Sequence, residues 1–470
     1  MAALAALTAL GILPSGSLAS GLPPATLSFY SQPALHPPEV QVNSDPDTRS
    51  GDIFLTPSHS YQTGPMILGP QGELIWFQPV FGWVANLEMQ RYQGRPVLTW
   101  WQGKTPTSKP EDVVVNSAYH VVALLHGANG YAPDLHEFQI TPQGTALIDG
   151  IGAVTGNLTK YGGRAHGSVK DDVVQERDLQ TGQVLWQWHS LGHVPISASY
   201  LKVPSSGSYD YFHLNSIQQL AGGNLLVSAR DTSAVYLINR QTGAIMWTLG
   251  GKHSSFKMGA GTSFQWQHDA HLTGQRLTLF DDHWGGGGYP ETSPSSALVV
   301  RLNTRAMKAT LVHRYNHTPA ILTGTEGSTE TLPNGNVFVG WGSDPDFSEY
   351  SSSGRQLFNG NFAVGVKSYR AYRFSWSGQP PGPPALAVAS SASGHGTTVY
   401  ASWNGATAVA TWRVLAGSNP YALHRVARAR KAGFETTINV RSSLPYFAVR
   451  ALGSSGAVLG TSHTLTVRRY

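Results

Sequence analysis

The sequence predicts an all-β chain, a six-bladed β-propeller followed by a small β-sandwich. Three observations predict it. A hairpin unit recurs over residues 50–376, the composition favours short strands over long helices, and a proline-rich break precedes a differently patterned C-terminal stretch. The domain limits expected from this pattern are 21–376 for the propeller, 377–385 for the linker and 386–470 for the sandwich.

The composition comes first. Charged residues make up 13% of the 470 residues, whereas glycine numbers 52 and tryptophan 13. A glycine- and aromatic-rich, charge-poor chain suits short strands joined by tight turns. Cysteine is absent, which excludes disulfides, thiol nucleophiles and cysteine-based zinc sites. The formal charge is only +5, and the basic residues are scattered apart from Arg425-Val-Ala-Arg-Ala-Arg-Lys431. No aromatic platform accompanies that run, so it reads as a solvated loop or strand edge and no nucleic-acid partner is expected.

Residues 1–20 read as a possible signal segment. Ala2 to Leu13 is apolar and is followed by the small residues of Pro14-Ser15-Gly16-Ser17-Leu18-Ala19-Ser20, although the first basic residue is Arg49. The expectation is export, to the cell envelope or the extracellular space. No later run of ~20 apolar residues occurs, so no transmembrane segment is expected.

The repeat defines the blades. Met66-Ile-Leu-Gly-Pro-Gln-Gly-Glu-Leu-Ile-Trp76, Phe138-Gln-Ile-Thr-Pro-Gln-Gly-Thr-Ala-Leu-Ile148 and Val174-Gln-Glu-Arg-Asp-Leu-Gln-Thr-Gly-Gln-Val-Leu-Trp186 each read as strand, turn, strand. Val235 to Trp247, Val299 to Leu311 and Tyr350 to Phe358 repeat the unit. A second hairpin precedes several copies, at Phe212 to Arg230, Gln267 to Phe280 and Ser328 to Trp341. Two successive hairpins make one four-stranded blade. The pattern is regular from Asp210 to Phe374 and diffuse over residues 83–170.

Gly378-Gln-Pro-Pro-Gly-Pro-Pro384 is a stiff linker. Beyond it, Thr398 to Trp403, Ala410 to Leu415, Glu435 to Val440, Tyr446 to Leu452 and Thr461 to Val467 alternate like the strands of a sandwich, and their spacing resembles a fibronectin type III module.

The chain holds 18 histidines, and three stand ahead of the first turn of successive units. Asp134-Leu-His136 leads to Gly144, Tyr211-Phe-His213 to Gly222-Gly223, and Trp266-Gln-His268 to Gly274. The innermost strand of each blade lines the channel, so similar positions in successive blades converge on the axis. In the last such unit Gly327-Ser328 occupies the slot.

The ordered set Phe212-His-Leu-Asn-Ser, Leu225 to Tyr236, Trp247-Thr-Leu-Gly-Gly251 and Trp266-Gln-His-Asp-Ala270 resembles the arylsulfotransferase family. So do Asp134-Leu-His-Glu-Phe, Leu332 to Trp341 and Ser368-Tyr-Arg-Ala-Tyr-Arg373. The likeness spans the propeller region and leaves out the C-terminal module. It implies a sulfuryl transfer from an aryl sulfate donor to a phenolic acceptor, with neither a nucleotide sulfate nor a metal. It also implies a covalent sulfohistidine. By motif order the carrier corresponds to His268, and the flanking site to His213, Asn215, Arg230 and His136. The chain departs from well-known bacterial members in lacking any disulfide and in carrying Asp269 after His268.

The residue types suit that chemistry. Imidazole is a nucleophile and then a leaving group, which splits one hard step into two. Cationic and amide donors stabilise spread negative charge on sulfuryl oxygens. A second histidine can move the phenolic proton. Three other readings remain open. Asp281-Asp282-His283 with His268-Asp269 offers ligands to a metal. The Thr181 to Trp186 and Thr242 to Trp247 repeats echo quinoprotein dehydrogenases. A non-catalytic extracellular propeller would bind glycan or protein, with Gly285 to Gly288 and Tyr289-Pro290 as its recognition loop.

Overall fold

A computed structural model describes residues 25–44, 51–103, 109–284, 293–390 and 396–467. The apolar opening 1–20, the loop Gly285 to Gly288 with Tyr289-Pro290, and His395 lie outside the described residues.

Six sheets follow one another, each built on four antiparallel strands, with short parallel additions at Ser208–Tyr209 and Lys257–Met258. Five of them begin at the channel and step outward, with inner strands Trp83–Tyr92, Ala132–Ile140, Leu214–Gln219, His268–Thr273 and Ser328–Thr331. The remaining sheet joins the two ends of the ring. Lys367–Phe374 is its inner strand, and it pairs with Asp52–Ser58, which continues to Met66–Leu68 and Leu74–Phe77. The six inner strands pack side by side in a closed circle. We number the blades from this joining blade: blade 1 is the joining blade, and blades 2 to 6 carry the inner strands in chain order.

The physical basis is two-sided burial. Leu225 and Val227 pack toward blade 3, whereas Leu226 between them packs toward blade 5. Both faces of a blade are therefore apolar, and the strand reads as the continuous run Leu225-Leu-Val-Ser-Ala229 rather than as an alternation. One hydrophobic cluster fills each of the six gaps between neighbouring blades. Trp100, Trp188 and Trp341 are among the largest fully buried side chains. Turn glycines serve where expected: Gly144 and Gly335 have φ of 81° and 85°, a region that only glycine enters without cost.

The diffuse stretch 83–170 holds blade 2 and most of blade 3. Its repeat is obscured because the strands are long, up to the twelve residues of Thr145–Gly156, and because bulges shift the register in both blades.

C-terminal to the ring, Ala385–Ser390, Thr397–Ser402 and Glu435–Val440 form one sheet. His424–Arg430, Thr411–Gly417, Tyr446–Leu452 and Val458–Thr461 form the other, with Leu465–Thr466 beside Tyr446–Leu452. Trp412, Val449 and Phe447 fill the space between the two sheets. The first strand starts at the end of the segment read as linker, and the basic run falls on the edge strand His424–Arg430. The sandwich touches the ring directly. Asn404 exchanges two hydrogen bonds with the backbone of Phe77, at 2.8 and 3.1 Å, and the Tyr119 hydroxyl donates to the Gly405 carbonyl at 2.8 Å. A Cβ on Gly405 would lie 2.6 Å from the Tyr119 ring, so this contact requires glycine. The segment around Phe29 to Ser31 straps the pair: Ser31 N–H donates to Glu435 at 2.6 Å, and the rings of Phe29 and Phe434 are 4.4 Å apart.

Candidate active site

The inner strands are irregular where they reach the axis. Register shifts occur at Ala85/Glu88, Leu214/Ser216 and His268/His271. Asn86, His213, Trp266 and Asp269 adopt φ between 55° and 63°, which non-glycine residues rarely do. Such bulges re-aim side chains, and here they turn polar groups into a space that regular strands would line with alternating residues. Backbone strain of this kind clusters at functional sites.

His136 and His213 meet, with ring centroids 4.8 Å apart. Each is held by a carboxylate: His136 Nδ1 lies 2.8 Å from Asp134 and His213 Nδ1 2.9 Å from Asp210, which also takes Lys170 at 2.7 Å. Burial raises Asp134, but His136 outweighs it and holds the carboxyl down at about 2. Asp210 likewise stays below the usual carboxylate range, because His213 and Lys170 outweigh its burial. The three histidines do not occupy identical strand positions. His213 precedes its strand, His268 opens its own, and His136 sits inside a bulged one.

His268 is almost wholly buried, at 1% exposure. Its Nδ1 lies 2.7 Å from Asp282, and the backbone N–H of Glu326 points at its Nε2 at 3.4 Å. A donor facing Nε2 selects the tautomer in which Nδ1 carries the proton and Nε2 keeps its lone pair. Burial, then the neighbouring Arg230, His136, His213 and Arg370, hold His268 well below its ordinary pKa. Burial lowers His136 as well, against the pull of Asp134. The imidazole of His268 therefore favours the neutral form.

The Arg230 guanidinium lies over the Trp266 ring at 4.6 Å and donates from Nε to Asp231 at 2.8 Å. Asn215 is fully buried, and one of its amide protons goes to the Gln267 carbonyl at 2.6 Å. It thus positions the residue before His268. All five residues expected from the sequence stand on or beside the inner strands, and His268 lies within electrostatic reach of His136, His213 and Arg230.

Two groups escaped the sequence reading. The sequence offers Asp282 only as a metal ligand within Asp281-Asp282-His283, whereas the structure sets it against His268. Arg370 lies on the inner strand that joins the ring, and it reaches across the axis to Asn86 at 3.0 Å, Glu137 at 3.2 Å and the Asn215 carbonyl at 2.7 Å. In the sequence it stands inside the motif Ser368 to Arg373 with nothing to mark a role of its own. Recognising that the last strand supplies the sixth inner position would have found it.

The acidic groups considered for a metal divide differently from expectation. Asp282 serves His268, Asp281 pairs with His283 at 3.0 Å, and Asp269 accepts from Tyr372 at 2.7 Å and Thr329 N–H at 2.8 Å. Asp134, His136 and Asp149, and separately Asp210, His213 and Asp231, have ligand atoms within 4.8 Å of one another. In each of these groups an N–H···O bond already joins the histidine to a carboxylate.

The ring and its channel define a β-propeller with a buried, carboxylate-supported histidine centre. A family model described as arylsulfotransferase (ASST) matches residues 88–363, and the chain belongs to that family. The match supports aryl sulfotransferase activity in the broad sense. No curated protein matches the chain significantly. Among solved structures, a Bacteroides caccae protein of unknown function has 13% identity and a TM-score of 0.42, and the match covers 69% of this chain and all of that one. A catalytically inactive virginiamycin B lyase from Staphylococcus aureus, solved with quinupristin, has 11% identity and a TM-score of 0.34, with 77% and 95% covered.

Proposed function

We propose that this protein transfers a sulfuryl group from an aryl sulfate ester to a phenol through a sulfohistidine on His268. One observation carries the reading: the imidazole has Nδ1 held by Asp282 at 2.7 Å and Nε2 turned away from that carboxylate. In the first step the Glu326 N–H releases Nε2, whose lone pair forms a bond to sulfur, the sulfur–aryl oxygen bond breaks, and the leaving aryloxide takes a proton. In the second step a phenol oxygen attacks sulfur, loses its proton, and the N–S bond breaks. Asp282 stabilises the positive charge that the ring gains between the two steps.

Arg230, His213 and His136 are the groups that meet the sulfuryl oxygens and shuttle the proton. Asn215 acts by fixing the Gln267–His268 backbone. The strand order of the sandwich supports a fibronectin type III-like accessory module, and the apolar opening residues support export.

The test incubates the full chain with 4-nitrophenyl sulfate, with and without phenol. Phenol-dependent release of nitrophenol, and a mass gain of one SO3 on the His268 peptide after donor alone, are expected. His268→Asn abolishes both. Normal transfer by that variant places the carrier elsewhere. No transfer by the wild type to a range of phenols favours the non-catalytic propeller. A chelator is expected to leave the rate unchanged.

A further inference from the structure

The ring of the substrate has to lie somewhere next to the histidines, and two spaces open off the channel. One is a cavity of about 560 Å³ lined by Glu88, Asp269, His271 and Glu330. Its walls set three carboxyl groups against His271 and Arg276, so charge alone does not choose between the two spaces. The other is a cavity of about 150 Å³ lined by Trp83, Trp101, Leu135, Tyr369, Lys367 and Glu326.

We propose that this smaller cavity is the aryl subsite, and that it takes a single phenyl ring. The inference rests on the sulfuryl-transfer reading and names the substrate class of that same site. Four observations support it. The cavity adjoins both histidine groups: Glu326 lines it while its N–H faces His268 Nε2 at 3.4 Å, and the Tyr369 ring stands edge-on to His136 at 5.6 Å. Its wall is aromatic, since Trp101 and Tyr369 pack in one buried cluster with Leu135 against it, while Trp83 is 46% exposed at the mouth. Its size is that of a site for one benzene ring, about 150 Å³. The Tyr369 hydroxyl, finally, is buried and has no hydrogen-bond partner among the described residues. A buried hydroxyl left unpaired is costly, and the bridging or phenolic oxygen of an aryl substrate is an acceptor that would satisfy it.

Lys367, joined to Glu326 at 2.6 Å, adds a positive charge at the rim for the anionic ester. The geometry thus separates two tasks: the ring lies between Trp83 and Tyr369, and the sulfur lies toward His268.

The test has a binding arm and a transfer arm. In the binding arm, 4-nitrophenol is titrated into His268→Asn protein and followed by calorimetry, so that no turnover is needed. Trp83→Ala in that background is expected to weaken binding about threefold to tenfold, the contribution of one aromatic pair, and Trp83→Phe to restore most of it. In the transfer arm, wild type favours phenyl over naphthyl sulfates in kcat/KM, and Trp83→Ala erases that preference. Tyr369→Phe lowers kcat with little change in KM. If wild type transfers sulfuryl groups but the Trp83 and Tyr369 variants keep wild-type binding, KM and ring preference, the subsite lies elsewhere. If wild type transfers nothing yet binds 4-nitrophenol through Trp83, the subsite stands and the sulfuryl-transfer reading falls. Absence of both transfer and binding overturns both.

Discussion

At the scale of single residues, the proposed transfer turns on the buried pair of His268 and Asp282. Asp282→Asn can donate its amide N–H to Nδ1, which would move the ring proton to Nε2 and remove the lone pair. We expect kcat to fall by about 10²–10⁴-fold with the circular dichroism spectrum unchanged. The pH profile follows from the depressed pKa of His268. The lone pair is lost only when pH falls through a value well below 6.5, so the acid limb of kcat/KM lies below 6.5 and the rate stays level above it until another group titrates. A limb centred at or above 6.5 would show that the buried, positively surrounded imidazole is not the group that titrates. His136, His213 and His268 were legible in the sequence because a repeat placed each ahead of a turn. Asp282 was not, because a carboxylate fourteen residues from its histidine becomes a neighbour only through the strand pairing that follows His268.

At the scale of elements, the bulged inner strands explain why the three histidines that the repeat singles out stand at slightly different strand positions. A strand with an extra residue turns a side chain that would face a neighbouring blade toward the axis. The same scale explains Arg370. Its side chain is 1% exposed and ties three inner strands together, two of them through Asn86 and Glu137. Arg370→Met leaves Glu137 and Asp269 buried without that cation, and unfolding in urea should show a loss of about 3–5 kcal/mol. Adding Glu137→Gln should recover part of it. An additive double variant would mean that the two groups do not share one network.

At the scale of the whole molecule, the repeat made the blade count legible, since every blade presents the same two-sided burial to its neighbours. The proline-rich stretch marked the change of pattern, and four of the later strands were plain from their alternation. The contact between sandwich and ring was not. It depends on Asn404, Gly405 and the strap around Ser31, none of which belongs to a repeat. Removing everything after residue 378 leaves all six blades intact, so transfer should persist. The contacts of Phe77, Tyr119 and Ser31 are lost, and the unfolding midpoint should drop by several degrees, at roughly 2–4 °C per kcal/mol. Loss of transfer with an unchanged midpoint would give the sandwich a role in the reaction instead.

The joining blade has a consequence in time. Asp52 pairs with Phe374, so the latch of the ring links the two most distant parts of the propeller chain, and contacts that far apart in sequence form late. Tyr369 and Arg370 ride on the strand that makes the latch. A chain halted before that strand docks has its three histidines but lacks Tyr369 and Arg370 beside them. Closing the circle and bringing those two side chains to the histidines are one event, so under the proposed function a newly made or partly opened molecule is silent until it happens.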